Sequence, residues 1–388
     1  MDLSHLAQNY PASTIRKLAR YAQQFSDVEY FTMGEPDFAS PQIVKDRAKE
    51  QIDADRTYYG PNMGEPGLQE AIVNYYNAHY QSSYQAKQAV VSFGATEACL
   101  LTIMATLNPG DEAIIFTPHY PNYLGQVEAM RAKVVLVPLK ASHNFQPQLT
   151  DLEAAITDRT KLIIVNTPNN PLGSVIEADT VRGISQLAHD HDLFILADEV
   201  YHSLTYPQSA HASFAQPDLA NADQTIVVDS FSKSFAMTGY RCGFALCPNP
   251  EMAQVMAEFK EGIGFAIPQF IQDACQLALE EGQAATEAMR QAYDQRRQFL
   301  IPQLNQIKGI RCADTQGAFY AFADISDFPF SSWEFVTRLI AEEKLAVIPG
   351  SSFGAAGEGF IRISFAASQT KLEKLVTGLQ NFSQRYMG

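Results

Sequence analysis

In this 388-residue chain, a lysine lies among small hydroxyl residues with an arginine eight positions further on, in Ser230-Phe231-Ser232-Lys233-Ser234-Phe235-Ala236-Met237-Thr238-Gly239-Tyr240-Arg241-Cys242-Gly243. The stretch follows Thr225-Ile226-Val227-Val228, which reads as a buried strand. A lysine near the C-terminal edge of a parallel sheet sits where α/β domains bind ligands. With its pKa lowered by burial or by a neighbouring cation, such an amine can form a Schiff base. The hydroxyls and Arg241 would suit a phosphate dianion. A surface turn with a solvated lysine and arginine has the same spacing, so the stretch alone leaves both readings open.

Three other stretches bear on the choice. Asn166-Thr167-Pro168-Asn169-Asn170-Pro171-Leu172-Gly173 closes one apolar run, and Ala197-Asp198-Glu199-Val200-Tyr201 closes the next. Gly94-Ala95-Thr96-Glu97-Ala98 follows an earlier run and opens a helix, whose N-terminus can receive phosphate. Each also has a bland reading: an Asp after a buried strand is often a cap, and Asn-Pro is often a turn.

The elements that must carry these residues follow from the apolar pattern. Ala89–Phe93, Glu112–Phe116, Lys133–Val137, Leu162–Val165, Leu193–Ala197 and Thr225–Val228 read as strands, and Glu97–Leu107 as an amphipathic helix stopped by Pro109-Gly110. Nearly continuous apolar runs separated by helices mark strands buried on both faces. The expected fold is α/β: a three-layer domain with a mostly parallel central sheet, plus a smaller α+β domain built from both chain ends. We place the large cofactor-binding domain at 46–282 and the small one at 1–45 together with 283–388, with 283–306 as a connecting helix. In the latter part Gly317–Phe322, Leu345–Ile348 and Phe360–Ser364 look like strands.

Composition narrows the function classes. Apolar residues make up 46% and charged residues 18%, which is ordinary globular composition. The net charge of −15 disfavours nucleic acid and anionic lipid as partners, yet leaves room for an anion held by a few placed cations and N–H groups. Five scattered cysteines without a C-x-x-C pair do not suggest a disulfide framework. The first six residues lack a basic region followed by an apolar run, and no apolar stretch approaches the length of a membrane span. The expectation is a reduced, cytoplasmic protein with no nucleic-acid or membrane partner.

In this order and spacing the stretches closely resemble the fold type I pyridoxal-phosphate-dependent aminotransferases, the aspartate aminotransferase superfamily. The likeness begins at Met33-Gly34-Glu35-Pro36-Asp37-Phe38, passes through Tyr59-Gly60-Pro61-Asn62-Met63-Gly64, and ends at Pro349–Gly354 and Gly359–Ser364. The resemblance implies that Lys233 holds pyridoxal 5'-phosphate as a Schiff base and later shuttles the proton. It pairs Asp198 with the pyridine nitrogen, keeping the ring an electron sink. It places Asn170 and Tyr201 on the phenolic oxygen and stacks Tyr120 on the ring. The phosphate falls to the backbone of Ala95 and Thr96, with Ser230, Ser232 and Arg241. Tyr59 matches the tyrosine that reaches the phosphate from a neighbouring subunit, which implies a homodimer with shared active sites. Arg362 matches the arginine that forks the substrate α-carboxylate, with the N–H of Gly34 and with Asn170 beside it. One departure is Leu172, where the family usually has Thr. The ring contact belongs to Asn170, so local repacking is expected there.

What this implies is an amino-acid aminotransferase, passing an amino group from an L-amino acid to a 2-oxo acid in two half-reactions. The same parts serve a carbon–sulfur lyase or an aminocyclopropane-carboxylate-synthase-like enzyme, and a third reading is a regulatory domain that binds the cofactor without turnover. The segment from Gly262 to Phe270, which could approach the substrate's distal end, has no basic residue. This tilts the donor toward neutral, apolar or aromatic amino acids, with 2-oxoglutarate as an acceptor. Other signals are set aside. Gly262-Ile263-Gly264 lacks the third glycine of a dinucleotide loop. His189-Asp190-His191-Asp192 reads as a solvated turn, so no metal is expected. Cys242 has no His placed as its base. Tyr75, Tyr76, His79, Tyr80 and Tyr84 read as a helix face and its end.

Overall fold

Apolar runs buried on both faces are stable in the middle of a sheet that helices cover on each side. The computed structural model describes residues 3–4, 7–8 and 14–388, so most of the first thirteen residues, read above for a leader and as the start of the small domain, lie outside the described residues. After β1 (Glu29–Tyr30), strands β2 (Ala89–Ser92), β3 (Glu112–Thr117), β4 (Lys133–Pro138), β5 (Thr160–Asn166), β6 (Phe194–Asp198), β7 (Thr225–Ser230) and β8 (Gly243–Leu246) follow. The last seven form one sheet in the order β2-β8-β7-β6-β5-β3-β4. Only β8 runs antiparallel to its neighbours.

Alternation along the strands sorts the core into two layers. Ile114, Ile163, Ile195 and Val227 face one side, while Ile115, Ile164, Leu196 and Val228 face the other. The helices in chain order begin with α1 (Thr14–Ala22), α2 (Gln42–Asp53), α3 (Pro66–Tyr80), α4 (Ala95–Thr106) and α5 (Asn122–Ala129). Then come α6 (Leu149–Ala155), α7 (Ala178–Asp190), α8 (Phe231–Ser234), α9 (Pro250–Ile263), α10 (Gln269–Glu281) and α11 (Gln283–Leu304). Helices α3 and α7 cover the first side through Leu68, Ile72, Val181 and Ile184. Helices α4, α5 and α9 cover the second through Leu101, Ile103, Val127 and Met256. Val227 and Val228 are fully buried. Truncating either to Ala costs about 2 kcal/mol or more, the transfer term plus the cavity left behind.

The long helix α11 leads into a second sheet. Its strands are β9 (Arg311–Cys312), β10 (Tyr320–Asp324), β12 (Ile348–Pro349) and β13 (Phe360–Ser364), antiparallel in the order β12-β13-β10-β9. Between them lie α12 (Ser332–Glu343) and β11 (Leu345–Ala346), and α13 (Gln369–Met387) ends the chain. Strand β1 pairs in parallel with β11, bringing the start of the chain against its last third.

Two expected strands come out differently. The run Leu345–Ile348 is not one strand: Leu345 and Ala346 pair with β1, Ile348 and Pro349 with β13, and Val347 is the crossing point. Its uniform apolarity reflects burial between two sheets rather than membership of one. The strand expected from Gly317 begins at Tyr320. Gln316 and Gly317 donate their N–H groups to the Gly173 carbonyl, and Ala318 donates to that of Leu204, so this backbone bonds the large layer instead.

Candidate active site

Strands β5, β6 and β7 end side by side, and the residues at their C-terminal ends line a cavity of about 580 Å³. Asn166 and Asn170 come from the end of β5 and its loop, Asp198 and Tyr201 from β6, and Ser230, Ser232 and Lys233 from β7 and α8. Ala95, Thr96, Tyr120, Arg241, Gly34 and Arg362 complete that wall. Twelve of the thirteen site residues expected above therefore meet in one place. Tyr59 does not: it is 83% exposed and packs its ring against Phe265 at 4.8 Å.

Lys233 donates from Nζ to the Gly34 carbonyl. Burial pulls its pKa down to about 8; Glu35 and Asp198 oppose that, while Arg362 and Arg241 add to it. An amine so placed has a large uncharged fraction at mildly alkaline pH, as a nucleophile or base needs. A Cβ at Gly34 would stand 2.8 Å from the Tyr320 hydroxyl, so a side chain there would have to displace that ring.

Asp198 is buried, and burial raises its pKa to about 6. The Tyr123 hydroxyl donates to its Oδ2, and the Val200 N–H donates to Oδ1 at 3.3 Å. Both favour the carboxylate, as does Lys233, whereas Asp229 disfavours it. No Lys, Arg or His forms an ion pair with Asp198 among the described residues. The carboxylate is thus held in place while its charge stays largely uncompensated.

The opposite corner is an anion cradle. Ala95 and Thr96, whose N–H groups open helix α4, line the cavity, and Glu97 turns its carboxylate back onto the Phe93 N–H at 2.7 Å. Gly94 has φ +78°, and a Cβ there would stand 2.9 Å from the Arg241 guanidinium. Arg241 is fixed by the carbonyls of Thr238 at 3.0 Å and Phe93 at 3.3 Å.

Arg362 arrives from β13 and is 3% exposed. It donates to Asn170 Oδ1 at 3.0 Å and to the Thr32 carbonyl at 2.6 Å, and lies 4.5 Å above the Tyr320 ring centroid. Its Nε is buried and has no hydrogen-bond partner among the described residues. A buried guanidinium with an unused donor invites an anion. The Tyr201 and Tyr320 hydroxyls meet at 2.8 Å.

Sequence reasoning passed over Tyr123, Tyr320 and Asn166 as site residues. Asn166 ties the loop to the neighbouring strand, donating to the Asp198 carbonyl at 3.0 Å and accepting the Asn170 N–H at 2.8 Å. Tyr123 lies three positions after Tyr120 at the start of α5, and that spacing was the available signal. The signals set aside take ordinary places. All five cysteines are buried, and His189 and Asp190 end α7. Leu172 packs into the core beside the Asn170 loop.

Residues 26–379 match the family model described as aminotransferase class I and II. The chain is 36% identical to an aspartate aminotransferase of Pyrococcus horikoshii, over 93% of this chain and 92% of that protein. It is also 36% identical to aromatic-amino-acid aminotransferase 2 of Thermococcus litoralis, over 98% of each. The crystal structure of the aromatic aminotransferase from Pyrococcus horikoshii superposes with a TM-score of 0.90 at 36% identity, covering 95% of this chain and 99% of that one. These matches do not favour the lyase or cyclase alternative. By sequence and by architecture the chain belongs to the class I and II aminotransferases.

Proposed function

We propose that the cavity binds pyridoxal 5'-phosphate and transfers the amino group of a neutral or aromatic L-amino acid to a 2-oxo acid. The observation that carries this reading is the meeting of Lys233, Asp198, Arg362 and the α4 cradle in one cavity of about 580 Å³. The residues fit the cofactor. At Gly94 a side chain would strain the backbone and crowd the Arg241 guanidinium, and among the described residues Asp198 has no ion-pair partner and Arg362 Nε has no acceptor. A phosphate, a protonated ring nitrogen and a carboxylate would satisfy these three in turn.

When bound, the cofactor supplies an aldehyde that condenses with amines and a ring that accepts electrons from the substrate's Cα. Lys233 serves first as the amine that holds it and then as the base that moves the proton from Cα, a double task suited to a pKa of about 8. Asp198, positioned by Tyr123 and the Val200 N–H, would hold the proton on the ring nitrogen. Asn170 and Tyr201 would serve the phenolic oxygen, and Tyr120 would pack on the ring. Ser230, Ser232, Arg241 and the N–H groups of Ala95 and Thr96 take the phosphate. Arg362 would fork the substrate carboxylate, with the Gly34 N–H beside it, and so select the Cα bond to be broken.

Tyr59, exposed and outside its own cavity, suits the role of reaching the phosphate of a second subunit in a homodimer. Donor preference follows from charge. Among the described lining residues the cations are Lys233, Arg241 and Arg362, and each already has a task. The segment 264–268 between α9 and α10 adds none. A second substrate carboxylate would therefore enter without a partner, at a desolvation cost.

Oxo-acid release from phenylalanine, leucine, alanine and aspartate, each mixed singly with the cofactor-loaded protein, tests the preference. The expected order puts the neutral donors ahead. Aspartate favoured more than tenfold would overturn it.

A further inference from the structure

Behind the cavity lies a layer of titratable side chains that the transamination reading does not use. Alternation along β7 turns Asp229 away from the cavity toward α3, while Ser230, the next residue, lines the cavity. Asp229 Oδ1 accepts the Ser230 N–H at 2.6 Å. Its Oδ2 accepts the Tyr76 hydroxyl at 3.0 Å and lies 3.1 Å from His202 Nε2. Nδ1 of His202 is 2.7 Å from the Tyr80 hydroxyl, and the Ser203 hydroxyl is 3.1 Å from its Nε2. Both the imidazole and the carboxylate are buried, and His202 is the ion-pair partner of Asp229 among the described residues.

We infer that His202 is a positioning residue for the cofactor's phosphate, its imidazolium cancelling the Asp229 charge that stands directly behind the Ser230 end of the cradle. The inference rests on the pyridoxal 5'-phosphate reading above. A buried carboxylate left unpaired beside a dianion site repels the dianion through a medium that screens poorly. Paired with an imidazolium, it presents a dipole rather than a net charge.

The other groups facing His202 do not substitute for it. From α3 these are Tyr75, Tyr76 and Tyr80, and burial holds each phenol protonated at neutral pH, with His79 stacked beyond them on Tyr75 at 4.0 Å. From the segment after β6 the carboxylate of Glu199 is bound by His211 Nε2 at 3.0 Å, the Ser213 hydroxyl at 2.6 Å and the Phe214 N–H at 2.7 Å. Burial works against protonating His202, but Asp229, by charge and hydrogen bond, and Glu199, by charge, outweigh it and hold the pKa above its ordinary value. A group raised in this way keeps its charge to higher pH than a free imidazole does, and its compensation is lost as pH rises through its pKa.

The test measures how tightly the full-length chain binds pyridoxal 5'-phosphate and, separately, unphosphorylated pyridoxal. His202→Gln keeps the volume and the hydrogen bonds but not the charge. The expected result is about tenfold weaker binding of pyridoxal 5'-phosphate with pyridoxal affinity unchanged, and recovery in the double variant His202→Gln/Asp229→Asn. Should His202→Gln not fold, the wild type and Asp229→Asn are compared from pH 6 to pH 9. The ratio of pyridoxal 5'-phosphate to pyridoxal affinity is expected to fall about tenfold relative to Asp229→Asn as His202 loses its proton. Equal weakening of both ligands, no weakening, no recovery in the double variant, or parallel pH profiles would overturn the inference. A wild type that binds neither ligand would overturn the cofactor reading itself.

Discussion

Two buried lysines, Lys233 and Lys260, share one electrostatic signature in very different surroundings. Burial depresses both pKa values to about 8. Lys260, on α9, is fully buried, donates to the Asn62 carbonyl at 2.6 Å and feels the charge of Glu97. It lines no part of the cavity, whereas Lys233 opens onto it with Asp198, Arg241 and Arg362 as neighbours. A perturbed amine therefore does not by itself mark a reactive one. On the proposed reading, reactivity is a property of convergence: Lys233, Asp198, Arg362 and the start of α4 reach the same space from different elements.

Substitution at the two lysines should separate them most sharply. Lys233→Ala is expected to lower transamination by about 10⁴-fold or more, because it removes both the anchoring amine and the base. Lys260→Met, which fills the same volume without charge, should leave kcat within about threefold of wild type. Comparable losses from both would erase the distinction drawn here. Next in size is Asp198→Ala, expected to keep the cofactor bound but slow Cα proton removal by roughly 10²–10⁴-fold, measured in a single half-reaction. A near-wild-type rate would give the ring nitrogen another partner.

A smaller effect is expected at the clamp. Arg362→Lys retains charge but cannot fork a carboxylate, so kcat/KM for the amino acid should fall by about 10²-fold, mostly through KM. Full rescue by lysine would mean that a point charge suffices. The smallest effect sharpens the comparison from the other side. A lysine whose folded pKa is about 8 binds fewer protons than the unfolded chain between that pH and 10.5, so stability gains as pH rises through this window. At Lys260 the gain amounts to about 3 kcal/mol by the top of the window. Urea unfolding at a series of pH values should show that rise in wild type relative to Lys260→Met, and superimposable profiles would refute it.

The layered sheet was legible because strands buried on both faces leave uninterrupted apolar runs, as in Leu162–Val165 and Thr225–Val228. Leu345–Ile348 was not legible as two strands, since apolarity reports burial and not which sheet supplies the partner. Within the site, residues in recognisable stretches came through: Lys233, Asp198, Asn170 and Arg362 all line the cavity. Tyr123 did not, because its place on Asp198 arises only when the start of α5 folds over the end of β6, a contact between residues 75 positions apart. The polar layer of Asp229, His202 and Tyr80 escaped notice for the same reason. Tyr80 reads as part of a helix face, Asp229 belongs to a strand and His202 lies beyond another strand, and only packing makes them one network.

The central claim is that Lys233, and not the equally depressed Lys260, is the amine that binds the cofactor. Borohydride reduction of the protein loaded with pyridoxal 5'-phosphate, followed by peptide mapping, tests it directly. The account predicts a single stable adduct on the peptide containing Lys233. An adduct on Lys260 or another lysine, or no adduct in a protein shown to bind the cofactor, would contradict it.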